Sequence, residues 1–485
     1  MRRAKIVCTL GPSTASFDKV RELADAGMNV ARLNMSHGSH TEHAAAYEYV
    51  RRASHETGQA IAVLADLQGP KVRLGTFESG SVELHRGASF VITTRDVTGT
   101  EAICSTTYDG LPADISPGDQ ILIDDGRVRL RAVEVDETDV TARVELPGVV
   151  SDHKGINLPG VKMSVPAMTD KDAEDLRWAL RTGADFIALS FVRSGSDCDD
   201  VRRIMREEQI LRPVIAKIEK PQAVDNIDDI MDVFDGVMVA RGDLGVELPL
   251  EEVPIVQKRV VGKARRNAKP VIVATQMLDS MVNAPQPTRA EASDVANAVL
   301  DGTDAVMLSG ETSIGEFPAV AVRTMARIIE STEEHGLPRM AAYTWRPKTK
   351  SGVICRAAAT VAEDIDARYL VAFTTSGDTA RRMSRYRSRI AIVAFAPDPV
   401  VQSQLALTWG VQTFRVPQVR HTDEMVLQVD RALLDSGRCT EGQQVVIVAG
   451  SPPGIPGSTN ALRVHNMGDA INHVAPAYGD LAPQG

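Results

Sequence analysis

At 485 residues and 52.3 kDa the chain exceeds one ordinary domain, and two or three are expected. A formal net charge of -10 argues against nucleic-acid or anionic-membrane partners, and 4% aromatic residues disfavour base-stacking or carbohydrate platforms. The five scattered cysteines (Cys8, Cys104, Cys198, Cys355 and Cys439) form no C-x-x-C pair, which suits a reducing cytosol and excludes a disulfide scaffold or a zinc site. No apolar run is long enough to span a bilayer, and Lys5–Leu10 is too short to be read as a signal peptide.

Strand and helix patterns alternate from the start. Lys5–Leu10 reads as a strand, Phe17–Ala26 as a helix closed by Gly27, and Met28–Met35 as the second strand. A helix over about Thr41–Glu56, closed by Gly58, leads to a third strand over Ile61–Leu67. From about Gly69 to Val165 the rhythm becomes short alternating runs, among them Gln120–Ile123, Arg127–Val135 and Val140–Leu146. That pattern predicts a small antiparallel sheet or barrel, inserted into the alternation.

The alternation resumes with Thr169 as a helix N-cap and a helix reaching Arg181. Strands are expected over Phe186–Val192, Pro213–Ile218, Gly236–Ala240, Pro270–Thr275 and Ala305–Leu308. Between and after them come helices over Asp197–Glu208, Gln222–Met231, about Glu251–Asn267, Arg289–Leu300 and Pro318–Glu334. Roughly eight βα units give the count of a (β/α)8 TIM barrel. After a linker over Tyr343–Ser351, a helix over Gly352–Asp364 and strands over Tyr369–Thr374, Ile390–Ala394, Thr413–Val416 and Gln444–Ala449 predict a three-layer α/β domain. The expected division is barrel over residues 1–68 and 167–340, inserted β lid over 69–166, and C-terminal domain over 341–485. The tail after about His473 is rich in Ala, Pro and Gly and is expected to fray.

Barrel enzymes place their chemistry at the C-terminal strand ends. Here those ends carry Thr9; Arg32, Asn34 and Ser36; Asp66; Ser190; Lys217 and Glu219; Arg241 and Asp243; Thr275; and Ser309 and Glu311. Lys217 and Glu219 are two apart, as are Arg241 and Asp243, and strand alternation predicts that each pair faces one side. Glu219 and Asp243, converging from neighbouring strands, can share a hard cation such as Mg2+ or Mn2+. The alternative is a pair of structural salt bridges. Met277–Met281 reads as core packing.

Several motifs together carry a resemblance. They are Arg32-x-Asn34-x-Ser36-His37-Gly38, Asp66-Leu-Gln-Gly-Pro-Lys71-Val-Arg73, Gly155-Ile-Asn-Leu-Pro-Gly160, Lys217-x-Glu219, Arg241-Gly-Asp243-Leu-Gly245 and Ala274-Thr-Gln-Met. In this order the chain closely resembles the pyruvate kinases over nearly its whole length. The resemblance implies a barrel with a lid and a C-terminal regulatory domain, in a cytoplasmic homotetramer. It implies the last step of glycolysis, in which phosphoenolpyruvate and ADP give pyruvate and ATP.

The residues fit that chemistry, since phosphoryl transfer needs charge neutralised and reactants aligned. Lys217 and Arg32 are expected to balance the phosphoryl charge in flight, and Glu219 and Asp243 to hold the divalent ion. Thr275 is the candidate for proton delivery to the enolate carbon through water, with a helix-capping hydroxyl as the alternative. Arg32, Gly242, Asp243 and Thr275 are the expected substrate contacts. Asn34, Ser36, His37, Arg73 and Lys154 are the expected nucleotide contacts; for His37 a plain loop histidine is an equal reading.

Two features concern regulation and ions. Thr374, Thr375, Ser376, Gly377 and Thr379 follow a strand and open a helix, a pattern suited to an anion, and Gly450–Gly457 could close over it. The resemblance implies a phosphorylated sugar or nucleotide effector there; a tight structural turn is the alternative. Related enzymes bind K+ with residues corresponding to Asn34, Ser36 and Asp66 and a threonine beside that aspartate, and they carry a glutamate at the place of Lys71. This chain has Leu67 and Lys71 instead, so K+ is expected not to be required, since the Lys71 ammonium could fill the region and Asp66 could pair with it; the alternative is a Lys71 pointing into solvent at the hinge, with K+ bound by the remaining oxygens. Two competing readings are another barrel enzyme that handles phosphoenolpyruvate or pyruvate enolate with Mg2+, and a degenerate homologue kept as a metabolite sensor.

Overall fold

The computed structural model describes residues 2–340, 343–455 and 457–472. Eight parallel strands close into a barrel: Lys5–Thr9, Val30–Asn34, Ala62–Asp66, Phe186–Leu189, Val214–Ile218, Gly236–Ala240, Val271–Ala274 and Ala305–Leu308. Their neighbours in the sheet are their neighbours in sequence, and the last pairs with the first. Most strand residues are buried on both faces, which explains runs such as Val-Ile-Val-Ala and Ala-Val-Met-Leu. Val7, Leu64, Ile215, Met238 and Ile272 fill the barrel interior.

Local signals fix where the helices begin and end. Ser39 with Glu42, Thr169 with Asp172 and Thr288 with Glu291 form reciprocal capping boxes. Gly27 takes a left-handed φ of 118° to end the first helix, a conformation that costs a residue with a Cβ. The expected helix Gln222–Met231 is two helices, Pro221–Asp225 and Ile227–Val233. They break at Asn226, whose side-chain amide donates to the Arg193 carbonyl at 2.9 Å.

Between the third and fourth barrel strands lies a six-stranded sheet with a separate two-stranded ribbon, Ser81–Leu84 with Gly148–Ser151. The sheet is antiparallel except where Ser89–Thr93 pairs in parallel with Ile103–Ser105. Its own core includes Leu74, Phe90, Ile121 and Leu130.

The C-terminal sheet runs in the order Val411–Arg415, Ile392–Ala396, Tyr369–Phe373, Gln444–Gly450, Thr459–Asn466, with apolar clusters on both faces. The last strand is antiparallel and was not expected from sequence, because Thr-Asn-Ala-Leu-Arg-Val-His-Asn lacks an apolar run. This domain plugs the end of the barrel opposite the C-terminal strand ends. Leu407 is fully buried with the barrel interior, Lys5 Nζ donates to the Val411 carbonyl at 2.8 Å, and Asp304 accepts from the Trp409 amide at 3.1 Å. The tail expected to fray, after about His473, lies outside the described residues.

Candidate active site

The site is built at the C-terminal rim of the barrel, where side chains leave the strands without a following strand to cover them. Register places Asn34 beside Asp66, and Arg32 beside Thr9. Asp66, 1% exposed, is the centre of the charge network. One of its oxygens accepts from Arg32 Nε at 2.7 Å, and the other lies 3.4 Å from Lys217 Nζ. Thr9 Oγ1 accepts from Arg32 Nη1 at 3.0 Å. Among the described residues Arg32 Nη2 has no acceptor, so one edge of the guanidinium faces the cleft.

Lys217 is held from three sides. Its Nζ donates to Ser190 Oγ at 2.7 Å and lies 2.9 Å from Glu219 Oε1. Ser190 in turn donates to the Leu67 carbonyl at 2.7 Å. Burial alone would push the lysine toward neutrality, but the Asp66 and Glu219 carboxylates outweigh it and raise its pKa. Lys217 is therefore a fixed cation at neutral pH. Glu219 moves up as well: burial dominates, Lys217 opposes it, and the Asp243 carboxylate adds to it.

These carboxylates suit a hard divalent cation. Glu219 Oε2 accepts from the Phe191 amide at 2.7 Å, while Oε1 is buried without an aligned donor. Among the described residues the Asp243 carboxylate takes no hydrogen bond, and no group of three or more His, Cys, Asp or Glu side chains could hold a metal. The pair would supply two carboxylates to such a cation, and Mg2+ commonly takes only one or two from the protein.

The expectation that Arg241 and Asp243 face one side is corrected. The strand ends at Ala240, and Arg241–Glu247 is a helix, so residues two apart diverge. Arg241 turns to Asp294 at 2.7 Å and to the Thr275 carbonyl at 2.7 Å. Thr275 does not cap a following helix: its hydroxyl donates to the Ala274 carbonyl at 2.6 Å and accepts from the Gly242 amide at 2.7 Å. Met277, Leu278 and Met281 are fully buried, as core packing requires.

The expected pairing of Asp66 with Lys71 does not form, because Arg32 and Lys217 take both Asp66 oxygens. Lys71 follows the Gly69 turn into the lid and packs beside Gly155. It nevertheless reaches the loop after the second strand electrostatically. Burial and then Arg73, Lys71 and Arg32 hold exposed His37 below the usual histidine range. Asn34 Oδ1 accepts from the Ser36 amide at 3.3 Å and shapes that loop. Arg73 Nη1 donates to the His153 carbonyl at 3.0 Å. Lys154 turns into the lid and pairs with Asp124 at 2.8 Å.

In the C-terminal domain the two loops singled out from sequence line one cavity of about 650 Å³, measured to its open mouth. Thr374 Oγ1 accepts from the Gly377 amide at 2.8 Å, and Thr379 Oγ1 lies 2.8 Å from Thr459 Oγ1. Thr375 and Ser376 line the cavity without side-chain hydrogen bonds among the described residues. Among the described residues no lysine or arginine lines the cavity, so an anion would be met there by hydroxyls and backbone N–H groups.

Sequence reasoning gave Thr9 and Ser190 only as polar strand ends. Their signal was a hydroxyl at a strand's C-terminal end; the donors they accept from, Arg32 and Lys217, come from other strands and become visible only in three dimensions.

Comparison with known proteins bears on the whole chain. Residues 1–322 match the family model described as pyruvate kinase, barrel domain, and residues 353–465 match pyruvate kinase, alpha/beta domain. A pyruvate kinase of Corynebacterium efficiens is 56% identical over 468 residues, covering 96% of this chain and 98% of the relative. One of Mycobacterium tuberculosis is 55% identical, covering 96% and 99%. The crystal structure of a pyruvate kinase from Cryptosporidium parvum superposes with a TM-score of 0.89 at 34% identity, covering 96% of each chain.

Proposed function

The chain belongs to the pyruvate kinase family and transfers the phosphoryl group of phosphoenolpyruvate to ADP, giving pyruvate and ATP; from that premise we propose how its own residues divide the work. The two competing readings, a different phosphoenolpyruvate enzyme and a silent sensor, fall with that identity. The observation that carries the division is the Lys217 ammonium fixed between Ser190, Asp66 and Glu219 at the mouth of the cleft.

Lys217 and the free edge of Arg32 neutralise the phosphoryl group as it passes between oxygens, with no covalent nucleophile needed. Both cations are pre-positioned, so little reorganisation is required during transfer. Glu219 and Asp243 would hold a divalent cation, which would supply Lewis-acid stabilisation of the enolate. Gly242 offers close backbone approach beside Thr275, whose hydroxyl orients the water that protonates the enolate carbon. Asn34, Ser36, His37 and Arg73 meet the nucleotide, and Lys154 joins them when Asp124 releases or shares it. Closing the lid excludes water from the transfer.

The enzyme works without K+, because Leu67 offers no side-chain oxygen and Lys71 adds a fixed charge near His37. A phosphorylated effector binds the C-terminal cavity and shifts phosphoenolpyruvate saturation. The assembly is a cytoplasmic homotetramer. The cytosolic setting agrees with five free, buried cysteines, and self-association agrees with the exposed edge strand carrying Val464 and with exposed Leu250 and Ile255.

Three outcomes test this division. Asp243→Asn keeps the shape and loses the charge, and should lower kcat by about 100-fold or more at saturating Mg2+ with an unchanged Tm; near-normal turnover would reject the metal assignment. Turnover with tetramethylammonium as the only monovalent cation should equal that with KCl at the same ionic strength, and strong activation by K+ would refute the ion proposal. Thr375→Ala combined with Ser376→Ala should remove activation by sugar phosphates and nucleotides while leaving basal turnover intact; retained activation by those effectors would move the effector elsewhere.

A further inference from the structure

Thr275 and Gln276 form a consecutive pair of non-glycine residues with left-handed backbone, at φ 70° and 52°. For a β-branched threonine this is a rare and strained conformation that persists only when its surroundings over-determine it. Strain of this kind at a strand end of the catalytic rim calls for a physical cause, and Arg241 supplies it. Its Nη2 donates to the Thr275 carbonyl at 2.7 Å and to the Gln276 carbonyl at 3.3 Å. Its Nε reaches the Ala274 carbonyl at 3.4 Å. Its Nη1 is anchored at 2.7 Å by Asp294, on the helix Arg289–Asp301. On the far side of the turn, Glu311 accepts from the Leu278 amide at 3.0 Å.

The three carbonyls held by Arg241 belong to successive residues, Ala274 to Gln276. A planar guanidinium with five fixed donors can span them, whereas an ammonium cannot match that spread. The consequence falls on the Thr275 hydroxyl. Its two partners are the Ala274 carbonyl, which Arg241 also touches, and the Gly242 amide, the next residue after Arg241. Displacing the guanidinium therefore frees both the turn and the hydroxyl it presents.

We propose that Arg241 is a positioning residue for the proton-transfer half of the reaction, caging the left-handed Thr275–Gln276 turn so that the Thr275 hydroxyl stays on the enolate carbon's side of the cleft. The inference rests on the role given above to Thr275. In that step the C=C π pair of enolpyruvate takes a proton from a water on Thr275 Oγ1. An oxygen lone pair closes to the carbonyl, and bulk solvent returns the proton. Phosphoryl transfer depends on Lys217 and Arg32, which Arg241 does not touch.

The test compares Arg241→Met, Arg241→Lys, Asp294→Asn and Thr275→Val. Exchange of pyruvate methyl protons for deuterium, followed by proton NMR with Mg2+ and ATP present, reads proton transfer separately from steady-state turnover. Arg241→Met should slow exchange by about tenfold or more while the KM for phosphoenolpyruvate moves less than about threefold. Arg241→Lys should not rescue it. Combining Arg241→Met with Thr275→Val should cost little more than Thr275→Val alone, as expected of groups acting as a unit. A crystal structure of Arg241→Met should show Thr275 outside the left-handed region. If Arg241→Met does not fold, Asp294→Asn decides the matter, since it loosens the same guanidinium from outside the cleft and should slow exchange in the same direction. Normal exchange in Arg241→Met, or in Asp294→Asn where that variant decides, with slow exchange in Thr275→Val overturns the cage. Normal exchange in Thr275→Val overturns the role of Thr275 itself.

Discussion

Two cations must stand at a nearly buried barrel mouth before any substrate arrives, and the Asp66 carboxylate makes that possible. Desolvating a lysine and an arginine together costs more than either hydrogen bonds or packing return unless negative charge lies between them. Asp66 bridges them, with one oxygen toward each. The result is a site whose positive groups are fixed and whose carboxylates are crowded. Burial first, and then the Asp243 carboxylate, push Glu219 up, and among the described residues Asp243 has no hydrogen-bond donor, an electrostatic setting that a divalent cation would relieve.

The barrel gives this arrangement its precision. Arg32, Asp66, Lys217 and Glu219 leave neighbouring or near-neighbouring parallel strands whose register is set by burial on both faces. The hydroxyls of Thr9, on the strand flanking Arg32, and of Ser190, just past the strand between Asp66 and Lys217, then lock individual rotamers. The opposite mouth is closed by Leu407 and by the Asp304 contacts of the C-terminal domain, so that domain packs against the same strands from below.

Much of this was legible in sequence, and the reasons are physical. Continuous apolar runs and helix caps located all eight barrel strands, since the caps and the period carry local information. Lys217 and Glu219 were correctly placed on one face because they lie on or immediately after a true strand. Arg241 and Asp243 were not, because the chain turns helical at Arg241 and nothing in Arg-Gly-Asp-Leu-Gly announces it. The supposed partnership of Asp66 with Lys71 failed for a related reason. Two cations distant in sequence compete for one carboxylate, and only the closed barrel brings the winners close. The left-handed turn at Thr275 was likewise hidden, as the guanidinium that holds its carbonyl opens a helix distant in sequence.

The most direct test of a crowded carboxylate cluster is the proton released when the cation binds. Burial and then the Asp243 carboxylate raise the pKa of Glu219, so a cation held there would displace a proton more often as pH falls. Titration calorimetry of Mn2+ into the enzyme, in two buffers of different ionisation enthalpy, measures that proton count. The account predicts release that is larger at pH 5.5 than at pH 8, falling as pH rises through the raised Glu219 pKa, and absent in Glu219→Gln. Binding with no proton release at pH 5.5, or release that persists in Glu219→Gln, would contradict it.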